Sequence, residues 1–186
     1  MKAELAELRL FPLDHSHDLG DFDSGSPARD AWLRARALAS QESGDAMTRI
    51  AGIGSRVVAF YTLSTAVVLR SALPGRLRRN APDPVPALLI GQLAVDLRYQ
   101  RRGIGASLVH DAMRSALLVS QLAGWRLLAV APDGGKAAEF WSKFDFVAVP
   151  GISPPLMALT QTMVRRLLAA TATPDGGTGH GAAGPV

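Results

Sequence analysis

The stretch from Ala87 to Leu122 restricts the fold of this chain more than any other. Ala87–Val95 is apolar almost without a break, as expected of a central strand covered on both faces. A basic turn follows, Gln100-Arg101-Arg102-Gly103-Ile104-Gly105. From Gly103 to Leu122, the residues Leu108, Ala112, Ser115, Ala116 and Val119 recur near one face of an amphipathic helix. A strand, basic turn and glycine-opened helix in that order have the physics of an anion site. The first N–H groups of a helix lack intrahelical partners, and the helix dipole adds partial positive charge there. Gly103 and Gly105 carry no Cβ to keep a phosphate away, and Arg101 and Arg102 add full charges. A diphosphate suits such a turn. The spacing is not that of a dinucleotide fold, which wants Gly-x-Gly-x-x-Gly directly after the strand and an acid about 20 residues on. Nor does Gly-Lys-Ser or Gly-Lys-Thr follow, as a P-loop would require.

The rest of the chain supplies a layered partner for that unit. Leu5–Phe11 reads as a first strand and His15–Asp23 as a loop or short helix. Ser26-Pro27 starts a helix over Ala28–Gln41, with Ala31, Leu33, Ala35 and Leu38 at helical spacing. Thr48–Gly52 and Arg56–Leu63 form a hairpin around Gly52-Ile53-Gly54. Pro74–Pro86 is a proline-rich loop with Arg76, Arg78 and Arg79. Trp125–Ala131 is a buried strand, Gly135–Phe144 a helix, Phe146–Val149 and Leu156–Thr162 strands, and Gln161–Ala170 a helical continuation. This order is an α/β layer on a mixed sheet, neither bundle nor sandwich. Residues 1–170 make one domain, and 171–186, rich in Gly, Ala and Thr, a disordered tail.

Composition excludes several classes. With 48% hydrophobic and 19% charged residues the chain is globular. It has no cysteine, so disulfides and thiolate zinc sites are out. No apolar run approaches the roughly 18 residues of a membrane span, and Met1–Glu7 carries early acids where a signal peptide would be apolar. His15 and His17 lie beside Asp14 and Asp18, but one such pair without further ligands reads as a solvated loop, so no metal is expected. The net charge is +4, with acids gathered early and arginines later. Arginine favours bidentate phosphate contact, although exposed arginines also serve solubility alone.

The segment Gln100–Gly105 fits the Gln/Arg-x-x-Gly-x-Gly/Ala signature of the GNAT acetyltransferases. Leu93-Ala94-Val95-Asp96 resembles the GNAT strand that ends in a β-bulge, and Ala137–Phe146 is similar to a later aromatic segment of that family. The resemblance covers residues 5–163. It implies a GNAT fold, in which a mixed central sheet with a splayed strand pair is flanked by helices. It also implies acetyl-CoA as cofactor. Leu93, Ala94 and Val95 would hold the pantetheine arm, and Gln100, Arg101, Arg102, Gly103, Ile104, Gly105 and Ala106 the diphosphate. A backbone N–H near the bulge would face the acetyl carbonyl.

Further pieces resemble the TacT-like GNAT toxins of toxin–antitoxin operons: Phe22-Asp23-Ser24-Gly25, Ala31-Trp32-Leu33 with Arg36-Ala37-Leu38, Ala59–Ser64, and Leu73–Asn80. The subgroup implies acetylation of the amino group of an aminoacyl-tRNA, arrest of translation, a ribbon-helix-helix antitoxin, a homodimer and a cytoplasmic location. Arg76, Arg78, Arg79, Arg98, Lys136 and Lys143 would supply the basic surface for RNA. One departure stands out. Where the family carries a tyrosine that protonates the departing thiolate, this chain has Trp141. An indole N–H donates a hydrogen bond but does not give up its proton near neutral pH. The alternatives are therefore a GNAT that acetylates a small amine or a protein, and a weakened GNAT fold that acts as a binding or regulatory protein.

Overall fold

The computed structural model describes residues 7–172. Its seven strands form one sheet in the order β1-β2-β3-β4-β5-β7-β6. They are β1 (Arg9–Pro12), β2 (Met47–Ile53), β3 (Arg56–Val68), β4 (Val85–Val95), β5 (Leu127–Val130), β6 (Val147–Val149) and β7 (Leu156–Thr160). The helices are α1 (Pro27–Glu42), the single turn α2 (Gly75–Arg78), α3 (Ile104–Val119), α4 (Gly135–Ser142) and α5 (Gln161–Ala172). Only β4 and β5 pair in parallel; the other neighbours are antiparallel. No helix among the described residues is long and apolar enough to cross a membrane.

Alternation along the strands divides the core between the two faces of the sheet. One face buries Tyr61, Leu88, Ile90, Leu128 and Val130 beneath α3, α4 and α5, with Leu108, Met113, Trp141 and Val164 from the helices. The other face is covered in two parts. Leu33 and Ala37 of α1 pack on Ile50, Phe60 and Ala94. At the opposite end, Leu73 and Leu77 pack on Val85, Ala87, Leu127 and Ala129. The arginine loop around α2 is thus anchored by its two leucines, while Arg76, Arg78 and Arg79 stay exposed.

Several boundaries differ from those the sequence suggests. The first strand lies at Arg9–Pro12 because β2 offers it partners only from Arg49 to Gly52. Residues 1–6 are outside the described range, as is the expected tail from residue 173 onward; Thr171 and Ala172 end α5. His15–Asp23 forms no helix. The carboxylates of Asp14 and Asp18 accept from the N–H groups of Ser16 and Gly20, at 2.8 and 2.9 Å, and bend the chain into turns. Strand β3 continues past Leu63 to Val68 because β4 pairs with it back to Val85.

The chain after β4 is braced by one carboxylate. Asp96 is fully buried. It accepts Arg98 Nε at 2.9 Å and Nη2 at 2.8 Å, the Arg98 N–H at 2.9 Å and the Asp23 N–H at 3.2 Å. The Asp23 carbonyl in turn accepts the Leu97 N–H at 2.8 Å. Ser24 is tied to the buried Asp30 of α1 through its hydroxyl at 2.6 Å. Phe22-Asp23-Ser24-Gly25 is therefore the clamp that fixes the β4–α3 turn against α1. Burial alone would raise the Asp96 pKa, but the hydrogen bonds from Arg98 and Asp23 outweigh it and hold the carboxyl below its ordinary value.

Asp96→Ala is expected to lower unfolding free energy by about 1–3 kcal/mol in urea titrations at pH 7, the cost of buried donors left without an acceptor. The half-exposed Arg98 guanidinium regains water, which keeps the loss below that of a fully buried pair. Because the folded pKa is depressed, this stabilisation is complete above the unfolded value of about 3.9 and is lost as pH falls through the folded value. Asp96→Asn should remove that acid-side slope.

Candidate active site

The site begins where two parallel strands part. β4 and β5 pair from Ala87↔Leu127 to Ile90↔Val130 and no further. β4 continues to Val95 on β3 alone, after a register shift in which Tyr61 faces Leu93 and Leu63 faces Ile90. One extra residue, at Gly91–Gln92, makes the bulge. The Thr62 hydroxyl accepts the Gln92 N–H at 2.9 Å. A Cβ on Gly91 would come within 3.1 Å of that same oxygen, so a side chain there would press on the hydroxyl that caps the bulge. It lies upstream of the expected place at the end of Leu93–Asp96. The sequence signal that marks it is an isolated glycine inside an apolar strand.

Beyond the bulge the backbone directions are set. The Asp96 N–H donates to the Val58 carbonyl on β3 at 2.9 Å. Alternation then turns Ala94 toward β3, and Leu93 and Val95 toward the edge that β5 has left. A groove of about 530 Å³ opens there, lined by Leu93, Val95, Tyr99, Arg101, Gly103 and Ala106, with Phe140 and Lys143 from α4. A cavity of about 160 Å³ adjoins it where the strands separate, lined by Ile90, Gly91, Val130, Asp133 and Trp141. Leu93, Phe140 and Arg29 line both.

The turn into α3 takes two left-handed residues, Arg101 at φ 58° and Gly103 at φ 82°. Gly103 is the N-cap, with no side chain to satisfy the first turn. The first helical bond is from Ser107 N–H to the Gly103 carbonyl, at 3.0 Å. The N–H groups of Ile104, Gly105 and Ala106 are therefore available to a ligand. Ile104 contributes only backbone, because its side chain is buried in the core.

Three of the expected side chains have partners within the protein. The Gln100 amide donates to the Val95 carbonyl at 2.9 Å and the Ser24 carbonyl at 3.1 Å, so it fastens the turn while lining the groove. Arg102 lies over the Tyr99 ring, 5.6 Å from its centroid, and does not line the groove. Arg98, half exposed, is held by Asp96 and donates to the Asp21 carbonyl at 2.9 Å. Lys136 and Lys143 stand exposed on α4.

Trp141 is 6% exposed and packs edge-on between Phe140 and Phe146, with centroids at 5.3 and 5.1 Å. Its indole nitrogen has no hydrogen-bond partner among the described residues, yet it is not one of the sealed polar atoms. Trp141 lines the cavity where β4 and β5 part. Tyr61 is no substitute acid. It faces α3, where its hydroxyl donates to Asp111 at 2.8 Å and lies 3.0 Å from Ser115, while Arg49 Nε also binds Asp111 at 2.8 Å. Burial pushes the Tyr61 phenol well above its ordinary value, and Asp111 reinforces this against the opposing effect of Ser115. His15 stands 3.2 Å from Glu42. Among the described residues no group of three or more His, Asp or Glu is placed to hold a metal ion.

Thr62 and Arg29 were not visible from the sequence as site residues. Arg29 sits near the start of α1, and its Nη2 lies 3.3 Å from Asp133 Oδ2 across the groove.

No family model matches the chain. It is 37% identical over 147 residues to the tRNA-acetylating toxin of Mycobacterium tuberculosis (strain ATCC 25618 / H37Rv), an alignment covering 79% of this chain and 89% of that protein. Its structure is similar to AtaT complexed with acetyl-methionyl-tRNAfMet, with a TM-score of 0.80, 25% identity, and 86% of this chain and 98% of that one covered. It is also similar in fold to a KacT mutant, with a TM-score of 0.80, 23% identity, and 87% and 99% covered.

A side chain on Gly105 would point into the groove, its Cβ 3.6 Å from the Phe140 ring. Gly105→Val should therefore weaken coenzyme A binding at least tenfold by calorimetry while leaving the melting temperature within a few degrees, since it fills ligand space and not core.

Proposed function

The chain belongs to the family of tRNA-acetylating toxins on the GNAT fold, and from that premise we propose that it transfers the acetyl group of acetyl-CoA to the amino group of an aminoacyl-tRNA and so blocks translation. The observation that carries this reading is the parting of β4 from β5 after Ile90 and Val130, beside a helix start with free N–H groups. The groove is of the right form for a thioester carried on an extended arm. Leu93 and Val95 receive that arm as an added strand. Ile104, Gly105 and Ala106 bind the diphosphate through backbone N–H, helped by Arg101 and Lys143. Acetyl-CoA brings an already activated acyl group, so the chain's task is to orient it, shield it and stabilise charge. The Leu93 N–H is aimed at the carbonyl oxygen on which negative charge develops. The bulge N–H of Gln92 is already taken by Thr62.

The acceptor amine reaches the thioester from the sheet face covered by α1 and α2. Arg76, Arg78 and Arg79 lie exposed around α2, Lys136 lies in the first turn of α4 and Lys143 caps its end. They grip phosphate and shape rather than base sequence. A small ribbon-helix-helix antitoxin, a homodimer and a cytoplasmic site of action complete the reading. The likeness in fold to an AtaT mutant toxin bound to the C-terminus of the antitoxin AtaR bears on the antitoxin alone.

Trp141 sets the rate. It would hold the thioester sulfur with an N–H but has no proton to give, so the proton shed by the attacking amine would reach the departing sulfur through water. General acid–base catalysis contributes about 10²–10⁴-fold, which leaves this protein a slow transferase. That same feature favours the second reading, a weakened GNAT fold with a binding role.

The test is purified aminoacyl-tRNA incubated with the protein and acetyl-CoA, read by mass spectrometry of the 3′-terminal aminoacyl nucleoside, beside in vitro translation. Acetylated product and acetyl-CoA-dependent arrest are expected. Product on free amines or protein N-termini alone would assign a different acceptor. Trp141→Tyr should raise kcat by roughly tenfold or more. Trp141→Phe should lower it about ten- to a hundredfold with little change in the KM for acetyl-CoA, the loss of one hydrogen bond to a charged atom. No effect of either substitution would remove Trp141 from the chemistry.

A further inference from the structure

The pair Arg29–Asp133 joins elements on opposite sides of the groove. α1 covers the sheet face of Phe60 and Ala94, whereas Asp133 lies just before α4, which packs with α3 on the other face. The contact therefore crosses the gap between β4 and β5. Asp133 lines only the cavity at the thioester end, with Gly91 and Trp141, and not the groove beside Gly103 and Ala106. Arg29 lines both spaces, and its contact with Asp133 holds its guanidinium toward the end of Gly91 and Trp141, where the proposed reaction brings the acceptor.

The pair is poorly suited to hold the walls together. Its side chains are 29% and 80% exposed, the single contact is 3.3 Å long, and solvated pairs of this kind add little to stability. A carboxylate left alone at this entrance would repel a polyanion. Paired with Arg29 it is neutralised, and it keeps the guanidinium extended over the opening. A guanidinium exchanges readily from a carboxylate to a phosphate, because both match its planar fork.

We infer that Arg29 is a specificity-determining residue for RNA: Asp133 positions it across the entrance, and a backbone phosphate of the 3′-terminal nucleotides displaces Asp133 when the acceptor docks. This rests on the aminoacyl-tRNA reading above and adds the residue that admits the substrate. The two partners then act in opposite directions. Asp133 competes with the RNA, while Arg29 binds it.

The experiment is steady-state acetylation of aminoacyl-tRNA by wild type, Asp133→Asn and Arg29→Gln over a range of salt concentrations. Asp133→Asn should lower the KM for aminoacyl-tRNA several-fold. Arg29→Gln should raise it about tenfold and reduce the log–log salt slope by about 0.7, the value for one phosphate contact on a single strand. The KM for acetyl-CoA should stay within twofold in both. Shifts of the tRNA KM in the same direction in both variants, or a change confined to the acetyl-CoA KM, would overturn the inference and leave the assigned reaction standing. A wild-type protein that acetylates free amines but no aminoacyl-tRNA would overturn both.

Discussion

The separation of β4 from β5 is the constraint on which the rest of the molecule depends. Parallel neighbours normally share hydrogen bonds along their whole common length, and unpaired strand edges are costly when buried. Here pairing stops at Ile90 and Val130, and the extra residue at Gly91–Gln92 turns β4 away. Thr62 satisfies the bulge N–H on the β3 side, so the distortion leaves no orphan donor there. On the other side Leu93 keeps its backbone groups, and Val95 its N–H, directed into a groove, while the Val95 carbonyl accepts from Gln100. A sheet that stayed paired to its end would have no place for a thioester arm.

A second requirement is that the turn after β4 stay rigid while its N–H groups remain free. Asp96 meets it by accepting from Arg98 and from Asp23, which draws the β4 end, the β4–α3 turn and the chain before α1 to one buried carboxylate. Gln100 adds a tie between Val95 and Ser24. These polar residues lie beside the phosphate cradle, yet their bonds are all internal. Arg101, Lys143 and the end of α3 border the groove. Trp141 belongs to the opposite end, where the groove meets the narrower cavity, and its indole can donate a hydrogen bond there but not ionise.

Much of this could be read from the chain. The apolar run ending at Val95, the glycine-opened helix and the aromatic segment around Trp141 define local units, and each forms within a few residues of its expected limits. The family pieces around Phe22 and Leu73 pointed to the right fold, although Phe22–Gly25 proves to be a clamp and Leu73 and Leu77 an anchor for the arginine loop. What was hidden depended on long-range pairing. Nothing local in Leu156–Thr160 says that β7 inserts between β5 and β6. Arg98 read as a free cation because its acceptor, Asp96, is two residues away on a turn whose geometry spacing does not reveal. Arg29 was invisible for the same reason, since its partner is more than a hundred residues along the chain.

The central claim is that specific backbone amides receive the cofactor. The most direct test is a titration of isotopically labelled protein with coenzyme A, followed by amide chemical shifts. The account predicts that the resonances of Gly105 and Ala106, together with Leu93 and Val95, move downfield and saturate together. Saturation of binding with those four unmoved, and the shifts gathered on another surface, would contradict it.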